Sequence, residues 1–313
     1  MIPIELNNKN EDQPYGYNEK YSAVLFTGNS LRHKRLGYLI QNTYPGLIKG
    51  WYTTVPKNTS KNEKFKKIIQ KVLPLNPSDS NLSAKEIIKK ALKKGIRNNF
   101  KYAYNAMHGQ LIKLQYPSEE QNMFGWEVKH LIKSADIHPT VINNPNSTEQ
   151  IREMETINPY FLLTFGGPLL GNALLNTVRG YAINQHAGHS PDLKGANTTE
   201  MAIYQRRIDK IGSTVHLMDV YADAGPILRR SLATIHEDDT TGNCFLSVTA
   251  LGNHLLIEAV NNILNSKAFS TFEQGTGSGQ TILNQDLSTY RKKIIKQDQS
   301  AMIKAELESL RNF

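Results

Sequence analysis

An α/β fold with a doubly wound, mostly parallel sheet is what this sequence predicts, and three observations predict it. Short apolar runs, rich in β-branched and aromatic residues, recur along the chain and alternate with segments of helical periodicity. Glycine-containing turns stand where several of those runs end, at Gly28-Asn29 and at Gly166-Gly167-Pro168. Sheets of this class bind ligands outside the carboxyl ends of their strands, so these turns are also the first places to look for a site.

Taken in order, residues 1–20 are polar and form a loose lead-in. Tyr21-Ser22-Ala23-Val24-Leu25-Phe26 is the first buried strand. A helix follows over 31–43, and Pro45-Gly46 ends it before a second strand from Leu47 to Val55. The segment 57–134 reads as a lysine-rich helical insertion. Its last helix, near Glu119–Lys133, carries Phe124, Trp126, Val128, Leu131 and Ile132 as a buried stripe. Thr140-Val141-Ile142 is a short strand, and a capped helix spans Ser147–Glu155. Residues 160–164 form a strand that runs into the Gly166-Gly167-Pro168 loop, and 172–178 a short helix. Residues 180–184 form the next strand, 198–207 a helix, and 212–218 with 226–234 a pair of strands around an acidic turn. A long helix covers 243–266. Residues 267–284, rich in Ser, Thr, Gly and Gln, read as a loop or linker. From Asp286 to Phe313 the tail is helical and either packs on the core or makes an oligomer contact, so a homodimer is one expectation. The whole is a Rossmann-like arrangement with a helical insertion and a C-terminal helical tail.

Composition narrows the classes of function. The chain has 313 residues, one cysteine and a net charge of +9. One cysteine excludes an internal disulfide and a cysteine-rich metal site. No apolar run approaches membrane-spanning length and the first residues are no secretory signal, so the expectation is a cytoplasmic protein with no membrane partner. The positive charge is concentrated: Lys57–Leu114 holds 14 Lys/Arg against Glu63, Asp79 and Glu86, so the remainder of the chain is slightly acidic. That segment is either a helical insertion with solvated lysine faces or an electrostatic platform for an anionic partner. Arginines are few there and aromatics are not regularly interleaved, which argues against dedicated nucleic-acid binding.

The residues that suggest chemistry lie between Tyr181 and Arg230. Asn184 and His186 are two apart on an extended segment, so their side chains share a face. Asp223, in the Asp223-Ala224-Gly225-Pro226 turn, reaches both if the intervening chain folds back. Amide, imidazole and carboxylate together stabilise an oxyanion and relay a proton, which suits acyl transfer. Taken alone, Asn-x-His at a strand end is more often a capping or turn element than a catalytic pair, and Asp-x-Gly-Pro is commonly a turn.

Asn184-x-His186, Ser190-Pro191, Lys194-Gly195-Ala196 and Asp223-x-Gly225-Pro226, in this order, resemble the signature of the 10-formyltetrahydrofolate-dependent formyltransferases. Phe26-Thr27-Gly28-Asn29-Ser30-Leu31-Arg32-His33-Lys34 resembles the first loop of the amino-sugar N-formyltransferase-like members. Thr164-Phe165-Gly166-Gly167-Pro168-Leu169-Leu170 resembles the folate-side loop of the family. The matches cover about half the chain.

The resemblance implies a catalytic domain over 21–56 and 135–266, with 57–134 as its insertion and 267–313 as linker and C-terminal helix. It implies three catalytic roles: Asn184 as donor to the oxyanion, His186 as proton donor to the leaving nitrogen, and Asp223 as the group that orients the imidazole or holds a relaying water. It implies a folate site at Phe165, Gly166, Gly167, Pro168, Leu169 and Asp219, with 10-formyltetrahydrofolate as co-substrate and no metal. The first loop, Gly28, Asn29, Ser30 and Arg32, is expected to bind the acceptor. His216 in its alternating strand reads as structural, and His189 stands where relatives carry an apolar residue. The acceptor is expected to be a small anionic amine, such as a nucleotide-linked amino sugar or related metabolite. The alternatives are a carrier-bound aminoacyl group or aminoacyl-tRNA, or a non-catalytic anionic-ligand or RNA-binding protein on the same fold.

Overall fold

Parallel strands β1 (Ala23–Thr27), β2 (Ile48–Thr54), β3 (Thr140–Ile142), β4 (Phe161–Phe165) and β5 (Tyr181–His186) form most of a seven-stranded sheet. β7 (Gly212–Leu217) and β8 (Ile227–Leu232) complete it by antiparallel pairing, giving the order β3-β2-β1-β4-β5-β7-β8. The predicted doubly wound α/β architecture is therefore present. The computed structural model describes residues 21–54, 118–219, 223–265, 270–275, 279–282 and 299–311, all within one compact unit of the chain. The lead-in 1–20 and residues 57–117 of the lysine-rich segment lie outside the described residues.

The strands alternate because both faces of the sheet are covered. Ala23 and Leu25 of β1, Phe161, Leu163 and Phe165 of β4 and Ile183 of β5 belong to one core. Helices α1 (Leu31–Thr43) and α6 (Thr241–Leu264) and a helix over 118–131, α2, supply its other wall. Val24, Phe26 and Leu162 point the other way, to Met154 of α3 (Thr148–Ile157) and Leu174 of α4 (Asn172–Leu175). Chain order runs from β1 outward to β2 and β3, then returns to β4 on the opposite side. The carboxyl ends of β1 and β4 thus flank a topological switch point, where such sheets open a crevice.

Two expectations about α2 are corrected. Phe124 and Val128 are buried in the main core, but Trp126 is 75% exposed and Ile132 42% exposed. The helix docks with a narrower stripe than its apolar residues suggest, and Trp126 stacks instead on His130, one turn along the same helix. Charge does part of the docking: Glu127 accepts from Arg35 Nε at 2.6 Å and from Nη2 at 3.1 Å.

A smaller structure lies beside the main sheet. β6 (Leu193–Gly195) pairs in parallel with β9 (Gln280–Ile282). Leu193, Ile282, residues of α5 (Thr198–Tyr204), Cys244 and Val248 of α6 and Ile303 of α7 (Gln299–Arg311) form a second core. The stretch 267–284, expected to be loop, therefore contains a strand. Three residues without alternating hydrophobicity carry no periodic signal, and only the neighbouring chain makes them a strand. No helix among the described residues is long and apolar enough to cross a membrane.

Candidate active site

A cavity of about 770 Å³ opens at the carboxyl ends of β4 and β5. β5 contributes Asn184 and His186. The return strand β7 runs antiparallel beside it, placing His216 opposite Asn184 and Thr214 opposite His186. Buried hydroxyls fasten the connection: Ser213 Oγ donates to the His186 carbonyl at 2.9 Å, and Thr214 Oγ1 donates to the Gly188 carbonyl at 2.7 Å. Thr214 Oγ1 also accepts the Ser190 N–H at 2.9 Å. The chain then turns back at Asp223, whose φ of +54° is left-handed, a region open to aspartate at modest cost.

Asp223 reaches the strand pair. Its Oδ1 accepts from Asn184 Nδ2 at 3.1 Å, and its Oδ2 accepts from the Gly195 N–H at 3.0 Å. Oδ2 is also 3.3 Å from His186 Nδ1. The three residues expected to be catalytic thus stand within one hydrogen-bonded cluster. Asn184 is held further: Thr164 Oγ1 donates to its Oδ1 at 2.5 Å, and its Nδ2 donates to His216 Nε2 at 3.0 Å. Both amide protons of Asn184 are therefore engaged, one by a carboxylate and one by an imidazole.

The electrostatics follow from that packing. Burial alone would raise the Asp223 carboxyl, but His186, His216 and the Gly195 N–H outweigh it and hold the group well below the usual carboxylate range. For His186, burial dominates and lowers the pKa, with Asp223 opposing. Nε2 lies 3.1 Å from the Leu193 carbonyl and Nδ1 faces Asp223, so a neutral ring satisfies one contact and only an imidazolium satisfies both. The pocket favours a neutral resting ring, yet binds an arriving proton from both sides. Such a ring accepts and returns a proton readily.

The same cavity is lined by Phe165, Gly166, Gly167, Pro168 and Leu169, which run on from β4 beside β5, and by Asp219. All six residues expected to bind folate line the same space as the Asn–His–Asp cluster. Gly166 has φ +56°, and a Cβ on Gly167 would meet the Phe26 carbonyl at 2.9 Å, so the loop lies closely against β1. Of the acceptor set only Arg32 lines the cavity; Gly28, Asn29 and Ser30 do not. Arg32 is itself paired with Glu120 at 2.7 Å, and its guanidinium carbon lies 5.3 Å from the Phe245 ring centre.

Sequence reasoning passed over two histidines. His216, read as structural, touches both Asn184 and Asp223; its Nδ1 donates to the Leu217 carbonyl at 2.7 Å, which leaves Nε2 to accept from Asn184. His33 is 6% exposed and fills the switch-point crevice. A Cβ at Gly28 would lie 2.4 Å, and one at Gly166 2.5 Å, from its ring. The Ser30 N–H donates to its Nδ1 at 3.1 Å, so the ring proton resides on Nε2. The signal was present in the two glycines, which end adjacent strands and leave room for one ring. His189 stands apart from the cavity lining and contacts Asp192 at 3.2 Å. Among the described residues, no group of three or more His, Cys, Asp or Glu is placed to hold a metal ion.

Residues 122–260 match the family model described as Formyl transferase. Methionyl-tRNA formyltransferase of Clostridium botulinum is 28% identical over 141 residues, covering 45% of this chain and 45% of the relative. The same enzyme of Geobacillus thermodenitrificans is 33% identical over 125 residues, 40% of this chain and 38% of the relative. The chain thus matches less than half the length of these curated relatives. Among solved structures, a sugar N-formyltransferase from a Shewanella species superposes with a TM-score of 0.51 at 15% identity, over 91% of this chain and 87% of that one. That likeness is one of fold. The family match runs from α2 to α6 and contains Asn184, His186, Asp223 and the whole Phe165–Leu169 loop. The match takes in less than half of the chain, and over that stretch the chain is similar to the formyl transferase family.

Proposed function

We propose that this protein is an N-formyltransferase that moves the formyl group of 10-formyltetrahydrofolate to the amine of a small anionic acceptor, a nucleotide-linked amino sugar or related metabolite. One observation carries the reading: Asn184, His186 and Asp223 converge on a cavity that the Phe165–Leu169 loop also lines. The volume, about 770 Å³, is in the range that takes a drug-sized ligand. The loop offers close-lying backbone and the exposed Leu169 side chain, features suited to a flat heteroaromatic ring with polar edges. Phe165, Gly166, Gly167, Pro168 and Leu169, together with Asp219, would hold the folate, which supplies the activated formyl group.

The chain's own groups then divide the work. The amine attacks the formyl carbon, the carbonyl oxygen takes negative charge, and the carbon–nitrogen bond to the folate breaks. Asn184 Nδ2, released from His216, donates to that oxygen. Removing a donor of this kind costs roughly 10²–10³ in rate. His186 takes the proton that the attacking amine loses, while Asp223 and the Leu193 carbonyl hold the resulting cation, and delivers it to the departing folate nitrogen. Of the first loop's acceptor set, Arg32 in the cavity wall is the residue that would meet the acceptor.

The test is release of tetrahydrofolate from 10-formyltetrahydrofolate by purified protein with a panel of amines. Asn184→Ala and His186→Ala should each lower turnover about 10²–10³-fold. No turnover with any amine, together with no folate binding by calorimetry, would refute the activity. A second acceptor reading is favoured by the sequence matches, which are to methionyl-tRNA formyltransferases. The panel therefore carries two arms, nucleotide-linked amino sugars and aminoacyl-tRNA, and the arm that turns over decides between them.

A further inference from the structure

The short strand β6 uses its two edges for different purposes. In an extended strand the backbone groups of successive residues point to opposite sides, so alternate residues serve one edge. On one edge the Asp192 carbonyl accepts the Gln280 N–H at 2.8 Å, and the Ala196 N–H donates to the Ile282 carbonyl at 2.9 Å. On the other, the Leu193 carbonyl faces His186 Nε2 at 3.1 Å, and the Gly195 N–H donates to Asp223 Oδ2 at 3.0 Å. Residues 192 and 196 hold β9; residues 193 and 195 hold the reacting pair.

β6 has three residues and no neighbour in the seven-stranded sheet. Among the described residues its only ladder is the one to β9. Gly195 has φ +89°, and a Cβ there would meet the Ile282 carbonyl at 2.3 Å, so the two backbones approach as closely as only glycine permits. Ile282 is fully buried in the second core together with Leu193, and Gln280 is tied to Gln205 at 2.7 Å. The outer edge of β6 is thus anchored by a segment almost sixty residues beyond Asp223.

We infer that β9 is a positioning element of the reaction centre: by fixing the outer edge of β6, it sets the Leu193 carbonyl against His186 and the Gly195 amide against Asp223. The inference rests on reading His186 and Asp223 as the reacting pair. Gln280, Thr281 and Ile282 touch neither co-substrate in this scheme, and they act through β6.

The experiment uses the full chain, labelled with nitrogen-15 in histidine, and follows the His186 ring nitrogens through a pH titration. Gln280→Pro removes the N–H that bonds Asp192. Ile282→Ala keeps every backbone donor and loosens the same strand from the second core. Faster hydrogen exchange at Ala196 shows that β6 has been freed. In a variant so freed, His186 titrates lower than in the unsubstituted chain because the Leu193 contact that favours its charged form is weakened. Turnover falls roughly 10–100-fold, and the calorimetric affinity for tetrahydrofolate stays within about twofold, because the Phe165–Leu169 loop is untouched. The exposed Thr281→Ala leaves all three readouts unchanged. An Ala196 amide that exchanges faster while His186 titrates as before overturns the inference. If the unsubstituted chain turns over no amine and binds no folate, the proposed activity fails, whereas the titration still decides the role of β9.

Discussion

His33 makes a prediction that needs no substrate. The ring is almost wholly enclosed, accepts the Ser30 N–H on Nδ1, and lies beside the Arg32 charge. Burial first, and Arg32 second, lower its pKa well below the ordinary histidine value. In the unfolded chain the same ring titrates near 6.5. As pH falls below that value, the unfolded chain takes up a proton that the folded chain refuses. The stability associated with neutral His33 is therefore complete above about pH 6.5 and drains away as pH falls toward the folded pKa. The slope it adds there is about 1.4 kcal/mol per pH unit.

His33→Gln separates this effect from packing. His33 is the third residue of α1, where glutamine is a standard partner for the capping residue's N–H, so the Ser30 contact survives. The ring between Gly28 and Gly166 is lost, which costs roughly 1–3 kcal/mol at neutral pH as a partly filled void. Urea unfolding followed by circular dichroism at several pH values from 5 to 8 should show a lower but flatter stability curve, shallower by about one proton's slope below pH 6.5. His186 and His189 are also lowered by burial and keep a residual slope in both proteins. Identical slopes for the two would refute the reasoning, because a protonated or solvent-open His33 has no linked proton to lose.

Three further variants have outcomes set by the geometry. Asp223→Asn removes the carboxylate 3.3 Å from His186; an opposite charge at about 4 Å contributes on the order of 4 kcal/mol at an effective dielectric near 20, so formyl transfer should fall up to roughly 10³-fold, and a loss under tenfold would argue against an imidazolium in the reaction. The same variant should lose less stability than the unsubstituted chain as pH falls below about 4, since the depressed Asp223 carboxyl stabilises the fold only while ionised. Gly252→Ala in α6 would bring a methyl within 2.4 Å of Gln185 Nε2 and 2.3 Å of Ser213 Oγ; about 1–3 kcal/mol of destabilisation in urea, with weakened turnover from the displaced β5, is expected. Glu127→Ala strands the buried Arg35, which also bonds Asn253 at 2.7 Å, and should cost roughly 3 kcal/mol in thermal or urea unfolding, whereas the solvated Lys304–Glu237 pair should be nearly neutral to removal.

The alternation of apolar runs and amphipathic segments was enough to predict the doubly wound sheet, and α1 over 31–43 is where the periodicity puts it. Asn184 and His186 were legible as a pair because strand geometry is periodic. Trp126 and Ile132 were not legible as exposed residues: periodicity marks apolar positions on a helix, and only the depth of the neighbouring core determines how many of them are covered. β6 and β9 were missed for a related reason, since each is three residues long and owes its conformation to the other.

The sequence by itself determined the fold class and a family resemblance that singles out Asn184, His186 and Asp223, because these depend on local order and spacing. Only the tertiary structure brought Asp223 back to β5, engaged both amide protons of Asn184, and drew His216 and His33 to the cavity. It also tied β9 to His186 and Asp223 through the two edges of β6. Contacts between residues 7 to 39 positions apart within the cluster, and almost sixty beyond it, depend on how the chain returns on itself. That return is set by the packing of whole strands and helices, which no local pattern encodes.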